Sequence, residues 1–247
     1  MLGNDVVDLR DADAKPETFR PRFDARVFAP VERRAIERDA QPQARRWAHW
    51  AAKEAAYKLA KQIDATFVFS PSKLVAHFNA AVDGSAGRVE RYGTLGLPNM
   101  ITPGVRELEL RSFETADWVH VLALPAGSDW EAVVWAVAPL EVMADPSAAV
   151  RSLAVNRIAQ DLGVERDRVT IGRRGRIPTV SIDDCDRTMA ISLSHHGGWV
   201  ACAMRLRCEE SLPRDRTDCG GVIVSRKAIG GRAALQGANT MLFGVDR

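Results

Sequence analysis

The chain has 247 residues, of which 46% are apolar and 27% are charged, values typical of a globular protein with one large core or two compact halves. Its formal net charge of +2 is too small to predict binding to nucleic acid or to a membrane, and its four cysteines lack the spacing of a zinc site or a disulfide framework. Since it shows no basic-then-apolar leader and no apolar run of membrane-spanning length, we expect a cytoplasmic protein.

The first predicted element is a short strand over residues 1–9, MLGNDVVDL, with Val6, Val7 and Leu9 as core candidates. Asp5 interrupts this apolar run. A buried aspartate needs hydrogen bonds, a cationic partner or a metal to offset its desolvation, whereas an aspartate at a strand edge can be an ordinary turn or capping residue. Both interpretations of Asp5 stay open from this stretch alone.

Residues 10–42 are charged and divided by prolines, which predicts two short helices, the second with Pro30 in its first turn and Glu32 near its positive end. A longer helix follows over residues 45–58, RRWAHWAAKEAAYK, and ends near Gln62. One face of this helix is small, apolar and suited to close packing. That face consists of Ala48, Ala52, Ala55, Ala56 and Leu59.

The neighbouring face of the long helix carries an acid and a base one turn apart, Glu54 and Lys58, with Trp47 and Trp50 beside them. Such a pair can be a solvated i,i+4 ion pair, worth only about 0.2–0.5 kcal/mol. The two tryptophans on the same stripe favour instead a half-buried wall, where a charge requires a function. The helix therefore suggests a site without identifying it.

Period-two alternation replaces the helical pattern from Ala65 to Leu140. Strands are predicted at FVF, KLVAHF, RVERYG, RELELRSF, WVHVLALP and AVVWAVAPL, with turn residues between them. They form an antiparallel meander that packs one face against the long helix. His77 and His120 lie in these strands without paired ligands, so we take both as structural.

A second long helix is predicted from Ser147, capped by Asp145, to a stop at Gly163. Two strands follow, RVTIGRRGRIPTV and TMAISLSHHGGWVACAMRL. The predicted fold class is α+β, with two similar lobes in a pseudo-twofold arrangement, each a small antiparallel sheet packed on a long helix. We divide the chain into lobes 1–142 and 143–207 with a cleft between them, and a tail, 208–247, that we expect to be poorly ordered.

Three separated parts of the chain carry residues suited to chemistry: Asp5, the helix with Glu54 and Lys58, and two late loops, GRIP at 175–178 and SLSHHGG at 192–198. Arg176, in a loop framed by glycine and proline, can bind a phosphate through two N–H groups. Ser194 and His195 can offer a hydroxyl, an imidazole and backbone N–H groups to an anion. In isolation, turn chemistry is the better interpretation of these two residues.

Two carboxylates from distant segments, cationic side chains and a phosphate-suited loop describe a site for Mg²⁺ and a polyphosphate, because Mg²⁺ takes one or two carboxylates plus water and phosphate oxygens. The chain has no G-x-x-x-x-G-K-[ST] loop and no protein-kinase motif set, which disfavours ordinary NTP-driven phosphoryl transfer. A serine hydrolase is also disfavoured, because the chain has no G-x-S-x-G elbow.

Taken together, these segments resemble the 4'-phosphopantetheinyl transferase superfamily. The segments responsible are GNDVVDL at 3–9, RFDARVFAPVE at 22–32, WAAKEAAYK at 50–58, GRIP at 175–178 and SLSHHGGWVACA at 192–203. The W-x-x-K-E-A-x-x-K element with an upstream G-x-D is the most specific part of the resemblance.

The resemblance implies an enzyme that moves the 4'-phosphopantetheine arm of coenzyme A to a serine of an apo acyl or peptidyl carrier protein and releases adenosine 3',5'-bisphosphate. It implies Mg²⁺ as cofactor, held by Asp5 and Glu54, with Glu54 or its bound water as proton acceptor. Lys58 would lie beside the reacting phosphates. Arg176, Ser194 and His195 would contact the phosphates of coenzyme A together with Lys58.

The chain departs from the larger, surfactin-type members, which usually carry a second acid two residues after the aspartate. Here that position is Val7, and Asp8 follows it, as in the short holo-acyl-carrier-protein synthases. The Ser-His half also comes last, and Ile177 is an extra residue in the Arg176 loop. We therefore predict the holo-acyl-carrier-protein synthase type, with one complete site in a monomer, and expect the strand of Asp5 to lie beside the strand that ends at His195.

Two other functions stay open at this stage. The first is an inactive coenzyme A or nucleotide-binding homologue that acts as a partner subunit, although intact Asp5, Glu54 and Lys58 argue against it. The second is a metal-dependent phosphohydrolase, for which the sequence offers no second metal site.

Overall fold

A computed structural model describes residues 1–84, 88–98, 105–187 and 189–205. The tail predicted over 208–247 lies outside the described residues. Within them, the α-helices are α1 (Phe23–Val27), α2 (Pro30–Arg38), α3 (Pro42–Ile63) and α4 (Pro146–Leu162). The strands are β1 (Gly3–Asp8), β2 (Ala76–Phe78), β3 (Val82–Asp83), β4 (Val89–Gly96), β5 (Glu107–Glu114), β6 (Trp118–Pro125), β7 (Val133–Pro139), β8 (Val169–Arg174), β9 (Ile177–Ile182), β10 (Cys185–Arg187), β11 (Ala190–His196) and β12 (Trp199–Arg205).

Helix α3 is the longest element and packs with its small apolar face inward. It begins at Pro42, whose fixed φ and missing N–H suit a first helical turn. The five residues of the predicted apolar face are all fully buried, which confirms that face. Strand β1 lies so close to it that a Cβ on Gly3 would collide with the carbonyl oxygen of Ala55 and lie 2.8 Å from its carbonyl carbon.

All strand pairs of the described residues are antiparallel and form three sheets. The largest has the order β1-β6-β5-β4-β2, with β3 also paired to β4, so β1 is an edge strand. The second sheet is β11-β12-β7 and the third is β10-β9-β8. Together with the helices, this pairing confirms the α+β class.

The core is built in layers, and side-chain alternation shows their order. Val121 of β6 packs with α3, while its neighbour Leu122 packs on the opposite face with Ala203 of β12. The next residue of β12, Met204, turns away from the large sheet and packs with Ile158 of α4. The order is therefore helix α3, large sheet, second sheet and helix α4, with one apolar cluster in each space.

Two sequence predictions about strands are wrong. The FVF segment forms no strand; Phe67 and Phe69 instead pack against Tyr57 of α3, so the alternation reflects packing on a helix. Each of the two long late strands is a hairpin. The chain turns at Gly175 and Gly197, whose φ values of 63° and 52° lie in the left-handed region that favours glycine.

Strand β7 precedes the predicted boundary at residues 142–143, yet it pairs along its whole length with β12. The predicted division into lobes therefore cuts across a continuous sheet between β7 and β12. No helix in the described ranges is long and apolar enough to cross a membrane.

Candidate active site at the junction of β1, α3 and β11

Asp5 and Lys58 contact each other where β1 crosses α3. Lys58 Nζ donates a hydrogen bond to Asp5 Oδ1 at 2.8 Å and another to the carbonyl oxygen of Asn4 at 3.0 Å. Asp5 is buried and has a cationic partner, so it is not merely a turn or capping residue. Among the described residues, Lys58 pairs with Asp5 and makes no ion pair with Glu54, which removes the i,i+4 interpretation.

Glu54 lies half-buried on the same face of α3 as Lys58. No hydrogen bond or ion pair to its carboxylate is found in the described part of the chain. Burial, together with the charge of Asp5 and against the opposing charge of Lys58, raises the pKa of Glu54 from its usual 4.5 to about 7. Glu54 is therefore a carboxylate that can take up or release a proton near neutral pH.

Aromatic rings flank Glu54 along the helix. Trp50 and Tyr57, about one turn before and after it, both contact Phe69, with ring centroids 6.0 Å and 4.9 Å apart. The sequence predicted a wall of two tryptophans. The structure has instead Trp50, Tyr57 and Phe69, the last from the loop after α3. Trp47 instead faces inward and donates to the carbonyl of Ala14 at 2.8 Å.

Strand β11 lies along the free edge of β1 and covers it with side chains. As an edge strand, β1 has outward N–H groups without a ladder partner. Ser192 Oγ accepts from Asn4 N at 3.0 Å, Ser194 Oγ accepts from Val6 N at 3.2 Å, and His196 Nδ1 accepts from Asp8 N at 3.2 Å. Every second residue of β11 thus meets every second residue of β1. These contacts confirm the prediction that the strand of Asp5 lies beside the strand that ends at His195.

Ser194 makes one further contact that its neighbours in this row lack. Its hydroxyl donates to Asp5 Oδ1 at 2.7 Å. Ser194 is buried, and it links the late SLSHH motif directly to the early GND motif. Sequence reasoning placed both motifs near one site but gave no signal for this contact.

His195 and Arg176 lie apart from this cluster of side chains. His195 is exposed on the opposite side of β11, so His196 and not His195 faces β1. Arg176 is exposed in the two-residue turn between β8 and β9. No described contact joins either residue to Asp5, Glu54 or Lys58, and their phosphate-binding roles stay predictions.

Both carboxylate oxygens of Asp8 accept hydrogen bonds from backbone N–H groups. Its Oδ1 accepts from Arg10 N and its Oδ2 from Gly198 N, each at 2.8 Å. Because side chains alternate along a strand, Asp8 faces away from Asp5. It holds the turn between β11 and β12 against the end of β1.

The buried pair of Lys53 and Glu32 was not predicted. Lys53 Nζ donates to both carboxylate oxygens of Glu32 at 2.8 Å and 2.7 Å, and also to the carbonyl oxygens of Pro71 (3.0 Å) and Leu74. Both side chains have no exposure. Lys53 lies 100° around α3 from Glu54, which indicates a different orientation, but the sequence offers no signal for a partner 21 residues away.

His120, predicted to be structural, is fully buried with Nε2 3.2 Å from Asn4 Nδ2. Burial lowers its pKa to about 3, and the charge of Lys58 acts in the same direction. The imidazole is therefore neutral and belongs to the core, as predicted.

The donor set at the site suits a hard cation. Within the described ranges no three His, Cys, Asp or Glu side chains are grouped to hold a metal, which disfavours structural zinc with its four protein ligands. Mg²⁺ is usually held by one or two carboxylates, with waters and phosphate oxygens completing its shell. Asp5 and Glu54 supply two carboxylates, and Asp5 lies close enough for its charge to raise the pKa of Glu54, so the residues fit Mg²⁺.

Comparison with known families supports the N-terminal part of the resemblance. Residues 1–72 match the family model of the 4'-phosphopantetheinyl transferase superfamily, which confirms the predicted resemblance over that range. The matched range contains β1 and α3, and hence Asp5, Glu54 and Lys58, but neither GRIP nor SLSHH. No curated protein matches the chain.

Proposed function

We propose that this chain, whose residues 1–72 match the 4'-phosphopantetheinyl transferase superfamily, moves the 4'-phosphopantetheine arm of coenzyme A to a serine of an apo acyl or peptidyl carrier protein. The reaction depends on Mg²⁺ and releases adenosine 3',5'-bisphosphate, as in the holo-acyl-carrier-protein synthase type. The observation that carries the proposal is the contact of Ser194 with Asp5 at 2.7 Å. It joins a motif outside the matched range to the acid that the matched range supplies.

The chemistry is attack of the carrier serine oxygen on the β-phosphorus of coenzyme A. The new O–P bond forms while the bond to the α-phosphate oxygen breaks, and adenosine 3',5'-bisphosphate leaves. Mg²⁺ bound by Asp5 and Glu54 would neutralise charge on the pyrophosphate. Glu54, directly or through a water, accepts the serine proton.

Lys58 has the position and the spare donor to stabilise the leaving phosphate. An ammonium group has three N–H donors. Two of them are used by Asp5 Oδ1 and the carbonyl oxygen of Asn4, and the side chain is 29% exposed. The third donor is available to a phosphate oxygen whose negative charge grows as the bond breaks.

The remaining phosphate contacts come from the resemblance. Arg176 and His195 are exposed and therefore accessible to a phosphate of coenzyme A, whereas Ser194 is buried. We further propose that residues 1–142 and 143–207, with β7 grouped with the second range because it pairs with β12, act as metal-binding and phosphate-binding lobes around a cleft, in a cytoplasmic monomer. The contribution of Asp5, Glu54, Lys58 and Ser194 by a single chain supports the proposed monomer.

The test is incubation of the protein with coenzyme A, Mg²⁺ and a panel of apo carrier proteins from fatty-acid, polyketide and nonribosomal-peptide systems. Intact-mass spectrometry should show one phosphopantetheine added to at least one carrier, and no addition when EDTA replaces Mg²⁺. Tight binding of coenzyme A without modification of any carrier would favour the inactive homologue. Release of free phosphopantetheine without a carrier would favour a phosphohydrolase.

A further inference from the structure

The hydrogen-bond pattern of Ser194 restricts what its hydroxyl can do. A hydroxyl has one proton to donate, and an ionised carboxylate can only accept. Ser194 Oγ accepts from Val6 N at 3.2 Å, and its single proton goes to Asp5 Oδ1 at 2.7 Å. Ser194 is 5% exposed. Its donor is therefore already used inside the protein, at the carboxylate proposed to hold the metal.

Asp5 is in turn held at one oxygen by two donors. Oδ1 accepts from Ser194 Oγ and from Lys58 Nζ, the latter at 2.8 Å. These donors come from β11 and α3, so they fix the rotation of the carboxylate from two directions. Among the described residues no hydrogen bond reaches Oδ2, which leaves that oxygen for a cation.

We propose that Ser194 is a positioning residue for the metal carboxylate Asp5 and does not itself bind a phosphate of coenzyme A. This inference rests on the proposed function, and it replaces the phosphate contact that the resemblance assigns to Ser194. Partners that orient a metal-binding side chain typically change metal affinity by 10–100-fold when removed. The hydroxyl of Ser194 acts in that way on Asp5.

Ser192 provides a matched control. It lies two residues away on the same face of β11, is also buried, and accepts the same kind of hydrogen bond, from Asn4 N at 3.0 Å. It makes no described contact with Asp5. Ser192→Ala and Ser194→Ala therefore remove equivalent edge hydrogen bonds, and only the second removes the donor to Asp5. Ser194→Cys, of similar size with a weak S–H donor, carries the test if Ser194→Ala does not fold.

The experiment is calorimetric titration of coenzyme A into the protein, without carrier, in EDTA and at a series of Mg²⁺ concentrations. We expect Ser194→Ala and Ser194→Cys to raise the Mg²⁺ concentration that gives half of the maximal change in coenzyme A affinity by about 10-fold or more. For Ser192→Ala, this concentration should stay within about 3-fold of the wild-type value. In EDTA, all variants should bind coenzyme A within about 2-fold of wild type, because no phosphate contact is lost.

Three other outcomes would overturn one claim each. If Ser194→Ala weakened coenzyme A binding equally in EDTA and in Mg²⁺, Ser194 would be a phosphate ligand. An equal shift in Ser192→Ala and Ser194→Ala would show that only the strand contact matters. Wild-type binding of coenzyme A that did not depend on Mg²⁺ would contradict the proposed function itself and not the contact of Ser194.

Discussion

Glu54 combines two properties that oppose each other in the metal-free protein. Its position between Asp5 and Lys58 suits a cation and a proton transfer, but its ionised form is disfavoured there by burial and by the charge of Asp5. Proteins commonly place such destabilising charges where function requires them. The destabilisation of the folded, metal-free protein by ionised Glu54 can therefore be measured.

Glu54→Gln should stabilise the metal-free protein above neutral pH. The folded-state pKa is raised from 4.5 to about 7, so the contribution of Glu54 to stability is complete below about pH 4.5 and is lost as the pH rises through 7. Glutamine imitates the protonated form. In EDTA the variant should melt above wild type at pH 8, by about 2–4 °C for each kcal/mol gained, and close to it at pH 4.5.

Differential scanning calorimetry at the two pH values checks this expectation. Glu37→Gln, an exposed position on α2, is the control and should leave the melting temperature unchanged at both. Equal melting temperatures of wild type and Glu54→Gln at pH 8 would mean that Glu54 is not under electrostatic strain.

At the scale of secondary-structure elements, the site depends on how closely β1 approaches α3. Gly3 has its backbone against the Ala55 carbonyl and the Leu59 amide, two residues before Asp5. This contact sets the distance between the strand that carries Asp5 and the helix that carries Glu54 and Lys58. A change at Gly3 should therefore affect stability and metal binding together.

Gly3→Ala should destabilise the fold by about 1–3 kcal/mol, as overpacking of a tight interior does, because its Cβ would meet backbone atoms that cannot rotate away. Gly96→Ala on β4 is the control, since nothing lies within 4 Å of a Cβ there, and it should change stability by less than about 0.5 kcal/mol. Urea denaturation measures both. Equal stabilities of the two variants would show that β1 and α3 tolerate a wider spacing.

The buried pair of Lys53 and Glu32 ties α3 to α2 and to the loop before β2. Burial acts to raise the pKa of Glu32, but its contacts with His49 and Lys53 outweigh burial and lower it. Lys53→Met should cost about 3–5 kcal/mol, because it leaves a buried carboxylate without its cation. Adding Glu32→Gln to Lys53→Met should recover part of that loss by removing the charge. A double variant less stable than Lys53→Met alone would contradict this account.

Local patterns predicted most elements, and the misses have physical causes. Helix α3 was expected from residue 45 to about 62 and spans Pro42–Ile63, because its apolar face repeats at the helical period. The turn at Gly197 was missed because the apolar alternation on both sides of Gly197-Gly198 was taken as one strand, although two adjacent glycines are themselves a turn signal. The hydrogen bond from Gly198 N to Asp8 Oδ2 joins residues 190 apart in the chain, and no local pattern reports it.

The candidate site shows the same limit. Asp5, Glu54 and Lys58 were singled out from local patterns and given their roles by the resemblance, and the structure brings Asp5 and Lys58 into contact. The hydrogen bond from Ser194 to Asp5 and the pairing of Lys53 with Glu32 depend on tertiary packing. Sequence reasoning can name a reactive side chain from its motif, but it cannot show which neighbour holds that side chain in place.

At the scale of the whole molecule, the layers bring the two ends of the described chain together. The large sheet and the β11-β12-β7 sheet pack through an apolar cluster that includes Val6 and Ala203. Beside this cluster, β11 runs along the edge of β1 and places Ser194 in hydrogen-bond contact with Asp5. A site made of residues 5, 54, 58 and 194 therefore forms only when both sheets are in place.

Single-turnover transfer of phosphopantetheine to a carrier serine, at saturating Mg²⁺ and coenzyme A, tests the central claim most directly. The variants are Glu54→Gln and the exposed control Glu37→Gln. We predict that Glu54→Gln lowers the rate about 10²–10⁴-fold, the usual contribution of a general base, while Glu37→Gln reacts at the wild-type rate. A Glu54→Gln rate close to that of wild type, in protein shown to be folded and to bind coenzyme A, would contradict the role of α3 in the reaction.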